Sequence, residues 1–286
     1  MPETMTEPGL AIERRLELRA SPARVWRALT DPAELAAWFS QRCGIDLRPG
    51  GEAWFDWDDG GRYAARVEAV EPERRLVIRW ATEEDQALDA GPTTVIEWTL
   101  EPGRNGGSVL RLRETGFTDP AARFGNVHGW LDELHELAEL VAEPGDAWQA
   151  GIRETYELRS EPDRVWAAIA TTEGLNGWFG PIVGLAIEPG SEGWFDWPAH
   201  GRFAVRIEAV EAPRYLAWSW TPHRDVPLAD ATEVLRTEWY VAGKDGGGTR
   251  LHLFETGFQG PDEHRANAEG WATDVLAALR KLLGEA

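Results

Sequence analysis

The first half of the chain combines two hydrophobic periods. Leu16 and Leu18 alternate with charged residues, which predicts a half-buried β-strand. Similar patterns predict about six more strands between positions 45 and 114. From Val127 to Val141, apolar residues instead recur every three or four positions, which predicts a long helix with one apolar face. After the first strand, a Ser-Pro pair and an Asp-Pro pair predict the starts of two short helices.

This order of elements defines the fold class. Strands that follow one another through hairpin turns pair in an antiparallel sheet, and the apolar face of that sheet needs a cover. Only the long helix can supply the cover. We therefore expect an α+β fold in which a curved antiparallel sheet wraps around a long C-terminal helix and leaves room for a cavity between them.

The same pattern occurs twice. Residues 62–71 recur as residues 202–211, and Glu52–Trp57 recurs as Glu192–Trp197, both at an offset of 140. After one inserted residue the offset becomes 141, and Glu114–Phe117 matches Glu255–Phe258. A repeat of this length is a whole domain. We predict two domains of this fold, 1–145 and 146–286.

Charge and composition exclude several partners. The formal charge is −20 and the acidity is spread over both halves, so neither nucleic acid nor an anionic membrane surface is expected to bind. No apolar run reaches the length of a membrane span, so no membrane insertion is expected. Cys43 has no partner for an intrachain disulfide, and the N-terminal segment lacks the features of a signal peptide. Together these features predict a cytoplasmic protein.

Familiar catalytic and metal-binding motifs are missing. No nucleophile elbow, phosphate-binding loop or dinucleotide fingerprint occurs in the sequence. The six histidines are scattered, and no pair has the spacing of a zinc helix. Asp56–Gly60 resembles the start of a calcium loop but lacks the later ligands. We expect no metal, no cofactor and no catalytic residue.

Two carboxylates are the strongest polar candidates. Glu114 is in phase with Leu110 and Leu112 and should point inward, and Glu255 repeats this arrangement. A carboxylate that faces an apolar interior has to be hydrogen-bonded or neutralised. It can anchor a ligand, act as a general acid or base, or serve only to bind nearby backbone amides or an arginine.

Aromatic residues are the other candidates. Of the 16 tryptophans, 14 form repeat pairs, so an aromatic framework belongs to the plan of the domain. Such rings can fill a core or line a ligand cavity. The pattern does not decide whether Trp54, or instead Phe55 and Trp57, faces inward. With the two glutamates, the candidate ligand-binding residues are Trp38, Phe39, Phe55, Trp57, Trp80, Trp98, Glu114, Phe117 and Trp130, and Trp178, Phe179, Phe195, Trp197, Trp220, Trp239, Glu255, Phe258 and Trp271.

Several of these motifs resemble one superfamily. Val25-Trp26, Trp38-Phe39, Leu47–Gly51, Glu114–Phe117 and Gly129-Trp130 are similar to the SRPBCC superfamily, and within it to domains like the C-terminal part of the activator of the heat-shock chaperone ATPase. The resemblance covers nearly the whole chain, once per domain. It implies the helix-grip fold, also called START-like or pollen-allergen-like.

The resemblance also implies a range of functions. Members of this superfamily bind lipids or hormones, or act as polyketide aromatases or cyclases. In the second domain Ser191 replaces the second glycine of the Gly-Gly turn, so the turn geometry there can differ. The first-domain half of the chaperone activator is not found in this chain, which argues against a co-chaperone of the stress response.

Three functions therefore remain open. We favour binding of a small hydrophobic or aromatic molecule without catalysis, because only Glu114 and Glu255 are predicted to point inward. The alternatives are an enzyme like the two-domain aromatase/cyclases and an adaptor for a chaperone ATPase. The sequence identifies no ligand, protein partner or oligomeric state.

Overall fold

The chain folds into two compact units. The computed structural model describes residues 11–58, 60–118, 120–180, 182–197 and 200–285, and its units are Met1–Ala150 and Gly151–Ala286. We call them domain 1 and domain 2. The segment considered above for a signal peptide lies outside the described residues. Among the residues that are described, no helix is long and apolar enough to cross a membrane.

In its described residues, domain 1 contains seven strands and three α-helices in the predicted order. The strands are β1 (Ile12–Leu18), β2 (Arg42–Ile45), β3 (Glu52–Trp57), β4 (Gly61–Glu71), β5 (Arg75–Ala81), β6 (Thr93–Pro102) and β7 (Ser108–Thr115). The helices are α1 (Pro22–Thr30), α2 (Pro32–Trp38) and α3 (Pro120–Val141). As predicted, Ser21 caps α1 by accepting a hydrogen bond from the amide of Arg24, with a proline at the first helical position.

Domain 2 repeats this plan. Its strands are β8 (Ile152–Leu158), β9 (Ile182–Val183), β10 (Glu192–Trp197), β11 (Gly201–Glu211), β12 (Tyr215–Trp220), β13 (Leu235–Gly243) and β14 (Thr249–Thr256). Its helices are α4 (Pro162–Ile169), α5 (Thr172–Trp178), α6 (Pro261–Gly270) and α7 (Leu276–Leu282). Short 3-10 segments occur at Arg104–Gly106, Ala147–Ala150 and Leu228–Asp230.

The described strands of each domain form one open antiparallel sheet. The strand order is β1-β7-β6-β5-β4-β3-β2 in domain 1. In domain 2 the equivalent strands follow in the same order, β8-β14-β13-β12-β11-β10-β9. The register of β4 on β5 shifts between Val67 and Ala69, and β11 shifts at the equivalent place between Ile207 and Ala209. Such bulges bend a strand and strengthen its twist. The α+β class and the tandem arrangement predicted from the sequence are confirmed.

The long helix covers the inner face of its sheet. Val127, Trp130, Leu134, Leu137 and Val141 of α3 are all buried, as their spacing predicts. The buried inner-face residues of β5, β6 and β7 alternate with residues that are more exposed or lie on the outer face. The core of domain 1 therefore lies between α3 and the sheet.

The long helix of domain 2 differs, because a π-turn at Trp271–Val275 separates α6 from α7. Before the turn, Trp271 matches Trp130 at the offset of 141. After it, the buried Leu279 and Leu283 match Leu137 and Val141 at an offset of 142. The extra residue is thus absorbed in the π-turn, which returns the apolar face to the sheet. Without it Leu282 would take the buried position, yet Leu282 is 40% exposed and Leu283 only 3%.

The stretch after α3 packs on domain 1. The side chain of Gln149 accepts a hydrogen bond from the amide of Arg19 (2.9 Å), and the Arg19 guanidinium lies over the ring of Trp148 (5.0 Å). In domain 2 the carboxylate of Glu285 fills the matching place and accepts from the amides of Arg159 (3.0 Å) and Ser160 (2.7 Å).

Candidate functional site

A fully buried carboxylate connects the sheet to the long helix in domain 1. Glu114, on β7, has no exposed surface. Its Oε1 accepts hydrogen bonds from Thr94 Oγ1 (2.6 Å), Asn126 Nδ2 (3.0 Å) and Trp80 Nε1 (3.2 Å). Its Oε2 accepts one from Trp130 Nε1 (2.6 Å). The predicted inward orientation of this side chain is therefore observed, and four donors surround it.

Domain 2 builds an equivalent site around Glu255, which also has no exposed surface. Its Oε1 accepts from Thr237 Oγ1 (2.9 Å) and Trp220 Nε1 (3.0 Å), and its Oε2 accepts from Trp271 Nε1 (2.7 Å). The carboxylate and its two indole donors are thus common to both domains.

The hydroxyl donor comes from a different position in each domain. Thr237 lies directly across the β13–β14 ladder from Glu255. In domain 1 the residue across from Glu114 is Ile96, and Thr94, two residues earlier on the same face of β6, reaches the carboxylate instead. Side chains two residues apart on a strand share a face, so either position can supply the hydroxyl.

Burial controls the protonation of both carboxyl groups. Loss of water raises the pKa of Glu114, and the hydrogen bonds from Thr94, Trp130, Trp80 and Asn126 partly oppose this effect. Burial likewise raises the pKa of Glu255, to about 6, against the opposing bonds from Trp271, Thr237 and Trp220. Each group can therefore exchange a proton closer to neutral pH than an ordinary glutamate.

Aromatic rings surround Glu114 and contact one another. Phe39 stacks on Trp130 (centroids 5.6 Å apart) and meets Phe55 edge to face (5.0 Å). Trp98 meets both Trp38 (6.2 Å) and Trp130 (5.3 Å) edge to face. The deep part of the domain is thus filled by rings in mutual contact.

Half-buried rings form the outer end of this aromatic set. Trp57, Tyr63 and Trp80 are neither fully buried nor fully exposed, and their centroids are 5.6 to 6.2 Å apart. All three lie on the inner face of the sheet, together with Phe55. Trp80 also donates to Glu114, so one ring connects the buried carboxylate to the surface.

The register of β3 settles which of its rings points inward. Phe55 is buried and contacts Phe39, and Trp57 contacts Phe39 as well. Trp54 lies on the opposite face, where the Arg62 guanidinium covers its ring at 3.9 Å. Phe55 and Trp57 therefore belong to the interior set, and Trp54 does not.

Domain 2 has a similar set of rings. Phe179 contacts Phe195 (4.9 Å), Trp197 (5.2 Å) and Trp271 (5.8 Å), and Trp239 contacts Trp178 (6.2 Å). Trp218 replaces Ile78 and adds a further fully buried ring. Trp220 is half-buried and donates to Glu255, as Trp80 does to Glu114.

Two candidates lie apart from these contacts, and two others hold the short helices. Phe258 is buried and meets the ring of His264 (5.1 Å). Phe117 is also buried, in the connection between β7 and α3. Trp38 and Trp178 donate from Nε1 to the carbonyl oxygens of Ala28 and Ala168, both at 2.9 Å, which fixes α2 and α5 against the preceding helices.

Sequence reasoning missed Thr94, Thr237 and Asn126 as partners of the carboxylates. The two threonines have a recognisable signal, because they share the inward phase of Trp98 and Trp239 on otherwise apolar strand faces. It also missed Glu133, which lies one residue before Leu134 on the covered side of α3. No group of three or more His, Cys, Asp or Glu side chains that could hold a metal occurs in the described part of the chain.

The fold and this site define a class of protein, namely tandem α+β domains in which a long helix lies against a curved antiparallel sheet. Residues 19–142 and 159–284 each match the family model described as Activator of Hsp90 ATPase homolog 1-like protein. The chain belongs to this family. The two matches fall one in each domain, as the repeat predicts.

Several solved structures are similar. DynU16, in the dynemicin biosynthetic locus, is 22% identical over 96% of this chain and 98% of its own, with a TM-score of 0.41. MLL2253 from Mesorhizobium loti is 26% identical over 46% of this chain and 95% of its own (TM-score 0.41). The Aha1 dimer from Colwellia psychrerythraea is 21% identical over 46% of this chain and 95% of its own (TM-score 0.39). No curated protein matches the chain significantly.

Proposed function

We propose that each domain binds a small hydrophobic or aromatic molecule between its sheet and its long helix, without catalysing a reaction. The observation that supports this most is the place of Trp80 and Trp220. Each is a half-buried ring on the inner face, and each donates a hydrogen bond to a fully buried carboxylate. A guest that stacks on this ring covers apolar surface. Only the tryptophan ring then separates the guest from the buried carboxylate.

The energetics favour such a guest. Apolar surface removed from water stabilises a complex by about 25 cal/mol per Å², and aromatic pairs add about 0.5–1.5 kcal/mol beyond their area. Because the deeper rings touch each other, the guest enters at the outer end, where Trp57, Tyr63 and Trp80 are half-buried. In domain 2, the buried Nε1 of Trp239 has no acceptor within the described residues, so a guest with an acceptor would gain a bond there.

A titration tests this proposal. A library of aromatic and lipid-like compounds is added to the protein while tryptophan fluorescence and melting temperature are followed. A bound guest raises the melting temperature with its concentration, as mass action requires. Trp80→Phe should weaken binding to domain 1, whereas Trp54→Phe, a half-buried ring on the opposite face of the same sheet, should not.

Two results would count against binding at this place. The first is a library that gives no concentration-dependent stabilisation. The second is a guest whose affinity depends on Trp54 and not on Trp80, since that guest would bind the outer face of the sheet.

Acid–base catalysis is the second candidate, because the pKa of Glu255 is raised to about 6. A carboxyl group with such a pKa can take up and release a proton near neutral pH. An aromatase/cyclase-like reaction would use it on a bound polyketide. Turnover of a polyketide substrate that Glu255→Gln abolishes, while binding persists, would favour this function over simple binding.

Chaperone activation is the third candidate, and the family description supports it. It would require contact with an Hsp90-type ATPase through the outer surface. An ATPase assay with added protein tests it, and stimulation unaffected by Trp80→Phe would separate this role from ligand binding. We also propose a cytoplasmic setting, which the single cysteine supports.

A further inference from the structure

We propose that domain 1 selects organic cations, such as an ammonium group with apolar substituents, at a cage formed by Trp57, Tyr63, Trp80 and Glu133. This inference rests on the proposed binding function and names the chemistry of its ligand. The cage lies at the outer end of the aromatic set, where the guest enters.

The three rings provide an aromatic surface suited to a cation. Their centroids form a triangle with sides of 5.6, 6.0 and 6.2 Å, and the pairs are inclined at 80°, 65° and 40°. Each ring is half-buried, so part of it remains accessible. The faces of Trp and Tyr attract ammonium groups within about 6 Å of the centroid, most strongly when the site is shielded from water.

Glu133 supplies a carboxyl group that can become charged when such a ligand binds. It lies three residues after Trp130 on α3, and the neighbouring Trp57 side chain partly opposes the rise in its pKa. Its Oε2 is buried without a hydrogen-bond partner within the described residues. A buried acceptor left without a donor costs free energy. A positive or hydrogen-bonding group bound beside the rings would remove this cost.

Without a ligand, Glu133 is protonated at neutral pH, and it has to lose that proton to pair with a cation. Burial raises the pKa of Glu133 to about 9, with a smaller contribution from the nearby charges of Glu136 and Asp132 on the same helix. No arginine, lysine or histidine forms an ion pair with Glu133 in the described part of the chain. A bound cation would stabilise the charged form of Glu133, which burial alone disfavours.

Domain 2 lacks this arrangement and serves as an internal control. Trp197, the equivalent of Trp57, donates from Nε1 to the carbonyl oxygen of Phe179 (2.7 Å). In the sequence, Phe203 corresponds to Tyr63 and, at the offset of 141, Asp274 corresponds to Glu133. The preference for cations should therefore belong to domain 1 alone.

Two probes of equal shape test the charge directly. Choline carries a quaternary ammonium group, and 3,3-dimethylbutan-1-ol is its neutral isostere. Both are titrated into the full chain at neutral pH while tryptophan fluorescence and heat are measured. Choline should bind about tenfold more tightly or better, which corresponds to about 1.4 kcal/mol or more of cation–π and charge attraction.

Variants then identify the residues. Glu133→Gln should remove most of the preference for choline, whereas Glu139→Gln, an exposed carboxylate on the same helix, should leave it unchanged. Trp57→Phe keeps a ring but removes the indole donor and weakens the face, and should reduce choline binding in proportion to its smaller π-surface. Circular dichroism checks that each variant is folded.

Three outcomes overturn the inference. Equal affinity for the two probes would show that charge is not recognised, although binding of both would still support the proposed function. Choline binding that survives Glu133→Gln and Trp57→Phe would place the cation elsewhere. Binding of neither probe would exclude the cage, and the compound library would then test the proposed function separately.

Discussion

The two domains donate hydrogen bonds to an equivalent buried carboxylate from partly different residues. Both bury a glutamate on the strand before the long helix, and both satisfy it with an indole from the helix and another from the sheet. Domain 1 adds Thr94 and Asn126, whereas among the described residues of domain 2 only Thr237 is added. Asn267, the equivalent of Asn126, donates to the carbonyl oxygen of Glu263 within its own helix (3.3 Å).

This difference shows which parts of the site the two domains share. The hydroxyl can move two positions along a strand face, and the amide can be lost, yet the carboxylate stays buried in both domains. The carboxylate and two indoles therefore form the common unit, and the other donors adjust how well it is satisfied. Four experiments on matched residues, including the titrations above, test this comparison.

The largest expected effect is the loss of the helix indole. Trp130→Ala and Trp271→Ala should each destabilise their own domain by about 3–5 kcal/mol, because a buried ring is removed and Oε2 of the glutamate loses its donor. Urea unfolding of each variant measures this. Trp54→Ala and Trp194→Ala, on the outer faces, should cost far less. A loss below about 1 kcal/mol for either helix tryptophan would mean that its ring contributes little to packing.

The next effect concerns the hydroxyl donors. Thr237→Val should cost about 1.5–3 kcal/mol, the usual range for a hydrogen bond to a charged group. Thr94→Val should cost less, because Asn126 still donates to Oε1 of Glu114. Chemical unfolding of both variants gives the comparison, with Thr99→Val on the outer face of β6 as control. Equal losses in the two domains would show that Asn126 does not compensate.

Stability should also depend on pH through Glu255. Its pKa in the folded domain is about 6, above the ordinary value of 4.5, so folding takes up a proton between these values. Stability is therefore highest with respect to this group below pH 4.5, and it falls as the pH rises through about 6. The total loss is about 2 kcal/mol.

Glu255→Gln isolates this contribution. The stability of the variant relative to the unmodified protein should rise by about 2 kcal/mol between pH 4.5 and 7 and then level off. Glu114→Gln should show a change of the same sign, since burial also raises the pKa of Glu114. A difference that does not vary with pH would mean that the buried carboxyl groups titrate normally.

The smallest effect expected is the selectivity for cations in domain 1. About 1.4 kcal/mol separates choline from its neutral isostere if the cage acts as proposed. Replacing Phe203 by Tyr and Asp274 by Glu in domain 2 tests whether the same chemistry can be transferred. The double variant can keep the hydrogen bond from Trp197 to the carbonyl oxygen of Phe179 and show no gain in choline affinity. That result would show that this bond must first be broken before the Trp197 ring can bind a cation.

The replacement of Gly51 by Ser191 illustrates how far the repeat tolerates change. Gly50 and Gly190 donate to the carbonyl oxygens of Val67 and Ile207 at 2.8 Å in both turns. The Ser191 hydroxyl accepts a bond from the amide of Ala186 (3.1 Å), whereas the equivalent amide of Asp46 donates to the carbonyl oxygen of Glu52 (2.9 Å). A Cβ at Gly51 would clash with the carbonyl oxygen of Asp46. The turn in domain 2 therefore keeps part of the hydrogen-bond pattern but differs in geometry, as the sequence allowed.

Much of the fold follows from local patterns in the sequence. The period of two placed Leu110, Leu112 and Glu114 on one face, and the period near 3.6 placed Val127, Trp130 and Leu134 on another. Adjacent strands with hairpin turns implied the antiparallel order, and the offsets of 140 and 141 implied two domains. These features could be read because alternation on strands and helices depends only on neighbours along the chain.

Tertiary structure decided how the candidate site is completed. Thr94 and Thr237 lie two register positions apart, so only the pairing of β6 with β7 and β13 with β14 shows that both reach a glutamate. Both faces of β3 carry aromatic rings, and only packing against Phe39 shows that Phe55 and Trp57 point inward. The extra residue absorbed by the π-turn, and the contact between Glu133 and Trp57, likewise depend on how the helix meets the sheet. Such contacts join residues far apart in sequence, and no local period encodes the distances between them.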